Sequence, residues 1–270
     1  MFRSIYTFLQ LMGSIDGYIF VIIRRISRNW DTLFLYLRPS NIRYAIIIGL
    51  GHPAMGTGFT THLLRENNID VDHERMGGDG IISWMAAVDD SPPNTNADRI
   101  SSSQLASAKK FLIIRSPLKA LNSVIKENSV RPSLQWRRSH ILKKYGHDIL
   151  PTVDYDHIDS LQHQQKIIQL KVAIDSLYYW YSICLEHSPE IVYRADMPED
   201  DNKLSNFIGD HIIRYDDLYR NSKKLLTDID QIDSYDIKLI GPEHTSKLLE
   251  LLEKFEYYQD FNRVLDLAHS

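Results

Sequence analysis

One cysteine, Cys184, stands in the 270-residue chain, which excludes an internal disulfide framework and fits a reducing compartment. Its setting in Tyr178-Tyr-Trp-Tyr-Ser-Ile-Cys184 is that of a core residue rather than a nucleophile. An excess of one charge is also missing: a net charge of −4 and an isoelectric point near 6.3 argue against a general nucleic-acid binder. No clean apolar run of membrane-spanning length occurs either. Residues 4–23 come nearest and are followed by Arg24-Arg25 in the manner of a signal anchor, but Gln10, Gly13, Ser14, Asp16 and Gly17 interrupt them. No small-residue cleavage site follows, so a secretory leader is a poor fit. These absences predict a cytoplasmic protein with an N-terminal helical arm, residues 1–40. The arm is read as one or two amphipathic helices that pack on the main domain or lie on a membrane surface, with residues 1–38 giving the peripheral contact. A transmembrane anchor is the alternative. Internal repeats and low-complexity tracts are absent.

The apolar fraction of 43% and charged fraction of 24% are those of an ordinary globular chain. Pro39-Ser-Asn41 marks the boundary between the arm and a main domain, residues 41–270. Ala45 to Gly49 reads as a buried parallel strand and Thr57 to Asn67 as a helix with Phe59, Leu63 and Leu64 on its inner face. Ile69 to Asp72 is a short strand, Ile81 to Val88 a helix, and Asp89 to Ser103 a loop. Phe111 to Ile114 is a further strand, running into Arg115 and a helix opened by Ser116-Pro117. Arg131 to Tyr145 is a basic helix, 157–186 a long helical region, and Glu190 to Tyr193 a strand. The alternation predicts an α/β fold of three layers, α/β/α, around a mainly parallel sheet.

The segment Gly49-Leu-Gly-His-Pro-Ala-Met-Gly-Thr-Gly-Phe-Thr60 joins the first strand to the first helix. Glycines there let backbone N–H groups approach an oxyanion, and the helix N-terminus adds a positive dipole end. Gly56 is followed by Thr57 rather than lysine, so this is not the loop of an ATP- or GTP-hydrolysing enzyme, and the glycines miss the dinucleotide-binding spacing. A plain strand-to-helix turn is the bland alternative.

A second element sharpens the first. Phe111-Leu-Ile-Ile-Arg-Ser-Pro-Leu-Lys-Ala-Leu-Asn-Ser123 places Arg115 at the end of a strand and Ser123 eight residues later in a helix. Together the two segments resemble the sulfotransferase family. Its phosphosulfate loop, Pro-[Lys/Arg]-Ser-Gly-Thr-Thr, is matched by Pro53-Ala-Met-Gly-Thr-Gly58. Its 3′-phosphate signature is matched by Arg115, Pro117 and Ser123, with Ser116 in place of Asn or Asp. The resemblance covers roughly residues 44–210. It implies a P-loop-NTPase-like sulfotransferase fold and transfer of a sulfuryl group from 3′-phosphoadenosine 5′-phosphosulfate (PAPS) to a hydroxyl or amine, leaving 3′-phosphoadenosine 5′-phosphate (PAP). No metal is expected.

By the same resemblance, Gly56, Thr57, Gly58, Phe59 and Thr60 would hold the 5′-phosphosulfate, and Arg115 and Ser123 the 3′-phosphate. Tyr193 or Arg194 would lie against the adenine, with Tyr215 as the rival aromatic. Glu74 is the first choice for the base that takes the acceptor proton, with His52 and His73 behind it. The family's catalytic Lys or Arg is replaced by Ala54. Arg75 folding over the site would compensate; without such a substitute the chain would bind nucleotide and catalyse poorly. Arg131, Arg137 and Arg138 are further candidates for the 3′-phosphate. The expected acceptor is a small alcohol, a glycan or a lipid head group. Trp84, Trp136, Trp180 and Tyr178–Tyr181 are candidates to line its pocket, and core packing is their bland alternative.

Overall fold

Short aliphatic runs that must bury both faces become the strands of a single sheet. The computed structural model describes residues 46–88, 96–128, 131–149, 163–213 and 234–269. The predicted arm, residues 1–40, and Tyr215 lie outside these. The strands are β1 (Ile47–Gly51), β2 (Val71–His73), β3 (Gly80–Ile82), β4 (Lys109–Ile114) and β5 (Ile191–Arg194). They lie in the order β2-β3-β1-β4-β5, with every neighbouring pair parallel. The helices are α1 (Thr57–Glu66), α2 (Ser102–Ser107), α3 (Pro117–Asn128), α4 (Arg131–Tyr145), α5 (His163–Leu185), α6 (Asp201–Ile208), α7 (Ser234–Lys254) and α8 (Tyr258–His269). Helix α7 is interrupted at Gly241, where φ is 79° and ψ is 167°, just before Pro242.

Strand alternation sends side chains to two separate cores. Ile48, Leu50, Leu112 and Ile114 face one side, where Leu121, Val124, Ala173, Leu177 and Leu252 of α3, α5 and α7 cover them. Ile47, Phe111 and Ile113 face the other, covered by Leu63 and Leu64 of α1 and Leu204 of α6. The three-layer expectation therefore holds at the level of a parallel five-stranded sheet with helices on both faces. Truncating the fully buried Leu64 to alanine would cost about 3 kcal/mol.

Two predicted elements differ. Residues 81–88, expected as a helix, instead form β3 and a 3₁₀ turn, Trp84–Ala87. Pairing with β1 and β2 on either side decides this, since Ile81 and Ile82 then enter opposite cores. Within the expected loop 89–103, a short helix begins at Ser102, started by a reciprocal cap between Ser101 and Gln104.

The connectivity makes a crevice. From β1 the chain runs through α1 to the β2 edge; from β4 it runs through α3, α4 and α5 to the β5 edge. The loops after β1 and β4, neighbouring strands, therefore part in opposite directions. In open parallel sheets this switch point, at the carboxyl ends of the strands, is where ligands bind.

Candidate functional site

The loop after β1 is backbone chemistry with no cation. From Gly51 to Thr60 it contains no lysine or arginine. Gly56 is the N-cap of α1 at φ 101°, and no side chain caps that end. The N–H groups of Gly56, Thr57 and Gly58 form no hydrogen bond with any described residue, whereas the N–H of Met55 and of Thr60 are used, on the carbonyls of His52 and Gly56. A Cβ at Gly56 would meet that of Ala195 at 2.8 Å, while one at Gly58 would meet nothing within 4 Å. The helix thus presents an uncapped positive end to open space. Of the predicted hydroxyls, that of Thr60 is fully buried and bonds back to the Gly56 carbonyl at 2.9 Å, and that of Thr57 faces His73.

His73 and Glu74 end β2 beside the same helix terminus. His73 Nε2 lies 3.2 Å from Thr57 Oγ1, and its Nδ1 lies 3.9 Å from Glu74 Oε1. Glu74 is fixed by the Trp84 indole, which donates to its Oε1 at 2.7 Å. Its backbone is pinned at both ends, N–H to Ile82 and carbonyl from Asp98, in a left-handed conformation at φ 60°. Ala54 is left-handed too, at φ 64°. Each costs on the order of 1 kcal/mol, and such strain collects where function demands a geometry. Arg75 does not reach over the loop; its Nε is committed to the Asn96 carbonyl at 2.9 Å.

Arg115 stands at the end of β4, largely buried, and its Nε has no hydrogen-bond partner among the described residues. Burial lowers its pKa, and the nearby Asp196 carboxylate offsets this in part. That carboxylate is otherwise occupied: Oδ2 accepts from the Ser116 N–H at 3.0 Å and Oδ1 from the Tyr257 hydroxyl at 2.6 Å. Ser116, where the resemblance calls for Asn or Asp, donates its hydroxyl to Asp260 of α8 at 2.5 Å. Asp196 follows β5, whereas Tyr257 and Asp260 reach Ser116 and Asp196 from the C-terminal end of the chain, a long-range meeting that no local pattern in the sequence reveals. Ser123 lies half-buried on α3, off the helix's buried stripe.

Tyr193 and Arg194, the expected adenine neighbours, are taken up by the fold. Tyr193 is fully buried in the α1-side core and donates to Asp201 at 2.9 Å. Arg194 grips Asp200 with Nε at 2.9 Å and an Nη at 2.7 Å.

His52 is likewise sealed beneath the loop. Its Nδ1 meets the Pro53 carbonyl at 2.5 Å, so that nitrogen carries the proton, and Nε2 meets the Ser176 hydroxyl at 3.0 Å. Burial, then the charge of Arg137, holds its pKa well below 6.5. A neutral ring with no solvent face supports the loop rather than an acceptor. Arg137 is itself fully buried. It bonds Ser133 at 2.6 Å and Asn128 at 2.9 Å, packs its guanidinium 5.2 Å from the Trp84 ring, and has its pKa lowered by burial to about 10. Trp84, Trp136 and Trp180 meet with ring centroids 5.3 to 6.1 Å apart, so the proposed acceptor aromatics form a core cluster. Arg138 pairs with Asp148 on the surface, and the side chain of Arg131 lies outside the described residues.

Among the described residues no group of His, Cys, Asp or Glu is arranged to hold a metal ion, and no helix is long and apolar enough to cross a membrane. No family model, no curated protein and no solved structure matches this chain.

Proposed function

We propose that the crevice between the loops after β1 and β4 binds an adenosine 3′,5′-bisphosphate nucleotide, and that the protein is a PAPS-dependent sulfotransferase acting on a hydroxyl or amine. The observation that carries this reading is the pairing of two anion sites at the sheet's switch point. One is the uncapped α1 terminus, with three amides unpartnered among the described residues; the other is the Arg115 guanidinium, whose buried Nε has no partner among them. A buried orphan donor and an open amide cradle are what a bisphosphate ligand would satisfy.

The donor supplies an activated sulfuryl group: in transfer, the acceptor oxygen bonds to sulfur while the S–O bond to the 5′-phosphate breaks and its electron pair leaves with PAP. The chain's own tasks are to orient and to hold protons. Amides 56–58 bind negative charge at the α1 end, and Arg115 would hold the 3′-phosphate. Glu74, held by Trp84, would take the acceptor proton. A glycan, a lipid head group or a small alcohol fits that chemistry.

Calorimetric titration with PAP and with 5′-AMP tests the reading. Tighter binding of PAP by about tenfold or more is expected; equal affinities, or no binding, would overturn it. Ala54 favours one second reading, a binding protein with impaired catalysis, since the loop lacks a side-chain cation. That protein would bind PAP, turn over no sulfate, and gain activity as Ala54→Lys.

A further inference from the structure

The nucleotide reading leaves a charge problem at the α1 terminus, because a 5′-phosphate there carries more negative charge than uncapped amides alone neutralise. No residue from Gly51 to Thr60 is cationic, Arg75 is bonded to Asn96, and Arg137 is sealed in the core. Among the described residues, the ionisable side chain that touches the terminus is His73, through the Thr57 hydroxyl. Its Nε2 lies 3.2 Å from the hydroxyl of Thr57, whose own N–H is one of the unpartnered amides. The ring edge and that amide thus serve one spot. The side chain is 39% exposed, so an incoming anion can reach it without displacing core.

We infer that His73 is the side-chain donor to the 5′-phosphate of the bound nucleotide, the position that the β1 loop leaves without a cation. The assignment rests on the nucleotide reading. On the other side of the ring, Glu74 Oε1 lies 3.9 Å from Nδ1 and is held there by the Trp84 indole. The other charges near the ring are Asp72, which accepts the His73 N–H at 2.9 Å, and Arg65, paired to Asp72 at 3.2 Å. Arg65 is thereby turned to the β2 edge and leaves the anion to His73. Handing this task to the end of β2, the edge strand beyond β3, also accounts for the left-handed Glu74: the turn there holds His73 against the helix while β2 ends.

The test is a cycle of ligand and residue changes, read by calorimetric binding with PAP, adenosine 3′-phosphate and 5′-AMP. In the wild type PAP is expected to bind at least about tenfold more tightly than adenosine 3′-phosphate, which lacks the 5′-phosphate. His73→Ala should shrink that ratio about tenfold and leave the ratio of PAP to 5′-AMP unchanged; His73→Lys should restore it. If His73→Ala lowers the melting temperature into the assay range, His73→Leu replaces it, because it keeps bulk without a hydrogen-bond donor. A His73→Ala ratio equal to the wild type, or equal losses for PAP and adenosine 3′-phosphate, overturns the assignment while the nucleotide reading stands. Wild-type affinities that ignore the 3′-phosphate overturn the nucleotide reading, and His73's role with it.

Discussion

Strands β4 and β5 lie side by side, each ends in an arginine, and the two arginines are opposites. Arg194 is forked onto Asp200 by two hydrogen bonds, with the carboxylate's pKa held below 3.8: burial would raise it, but the bonds from Arg194 outweigh that effect. Arg115 has the Asp196 charge nearby, but its Nε has no hydrogen-bond partner among the described residues; the two Asp196 oxygens accept instead from the Ser116 N–H and the Tyr257 hydroxyl. Burial therefore lowers the pKa of Arg115, while the hydrogen bonds of Asp200 raise that of Arg194. Leaving one cation buried with an unused donor costs free energy, and an anionic ligand is the natural recipient of that donor.

The contrast can be broken by stability first. Arg194→Ala should destabilise by about 3 kcal/mol in denaturant titration, since it strands a nearly buried Asp200, whereas Arg115→Ala should leave stability unchanged or higher. Equal losses would mean that Arg115 is structural after all. The loop after β1 offers a parallel pair. Gly56→Ala forces a Cβ toward Ala195 at left-handed φ and should cost about 2 kcal/mol.

His52 beneath that loop sets a pH signature. Its folded-state pKa lies below the unfolded value of 6.5, so the unfolded chain binds the extra proton first. Stability should be full above pH 6.5 and fall as pH drops below it, by about 1.4 kcal/mol per pH unit until the folded ring also titrates. His52→Asn should remove that slope in melts taken from pH 7 to 5. The smallest effect is the most diagnostic. Gly58→Ala meets open space and should leave stability unchanged or raise it by up to about 1 kcal/mol, yet weaken PAP binding, because a methyl there stands where the ligand approaches the amides.

Much of this was legible in the chain. The apolar run before Gly49 and the run Phe111 to Ile114 read as strands because buried parallel strands need no alternation, and Pro117 announced its helix. Arg115 was singled out by the family resemblance, from its place after a strand and eight residues before Ser123. What stayed hidden depends on long-range partners. Gly80 to Ile82 is too short for periodicity, and only β1 and β2 on either side make it a strand. Tyr193 was placed against the adenine by the family resemblance alone, and strand alternation turns it into the core. His73 ranked below Glu74 because a lone histidine carries little signal until a fold sets it 3.2 Å from the first residue of another helix. Asp196 lies in the Ile191–Met197 run singled out for its tyrosine, but its bonds to Ser116 and to Tyr257, from the far end of the chain, carry no local signal.

The most direct test of the central claim, that Arg115 is held for a 3′-phosphate, is the affinity ratio of PAP to 5′-AMP in Arg115→Ala. A ratio that collapses to near one, in a variant as stable as the wild type, is the expected result. A ratio that survives intact would contradict the claim and move the 3′-phosphate, if one binds, to another part of the molecule.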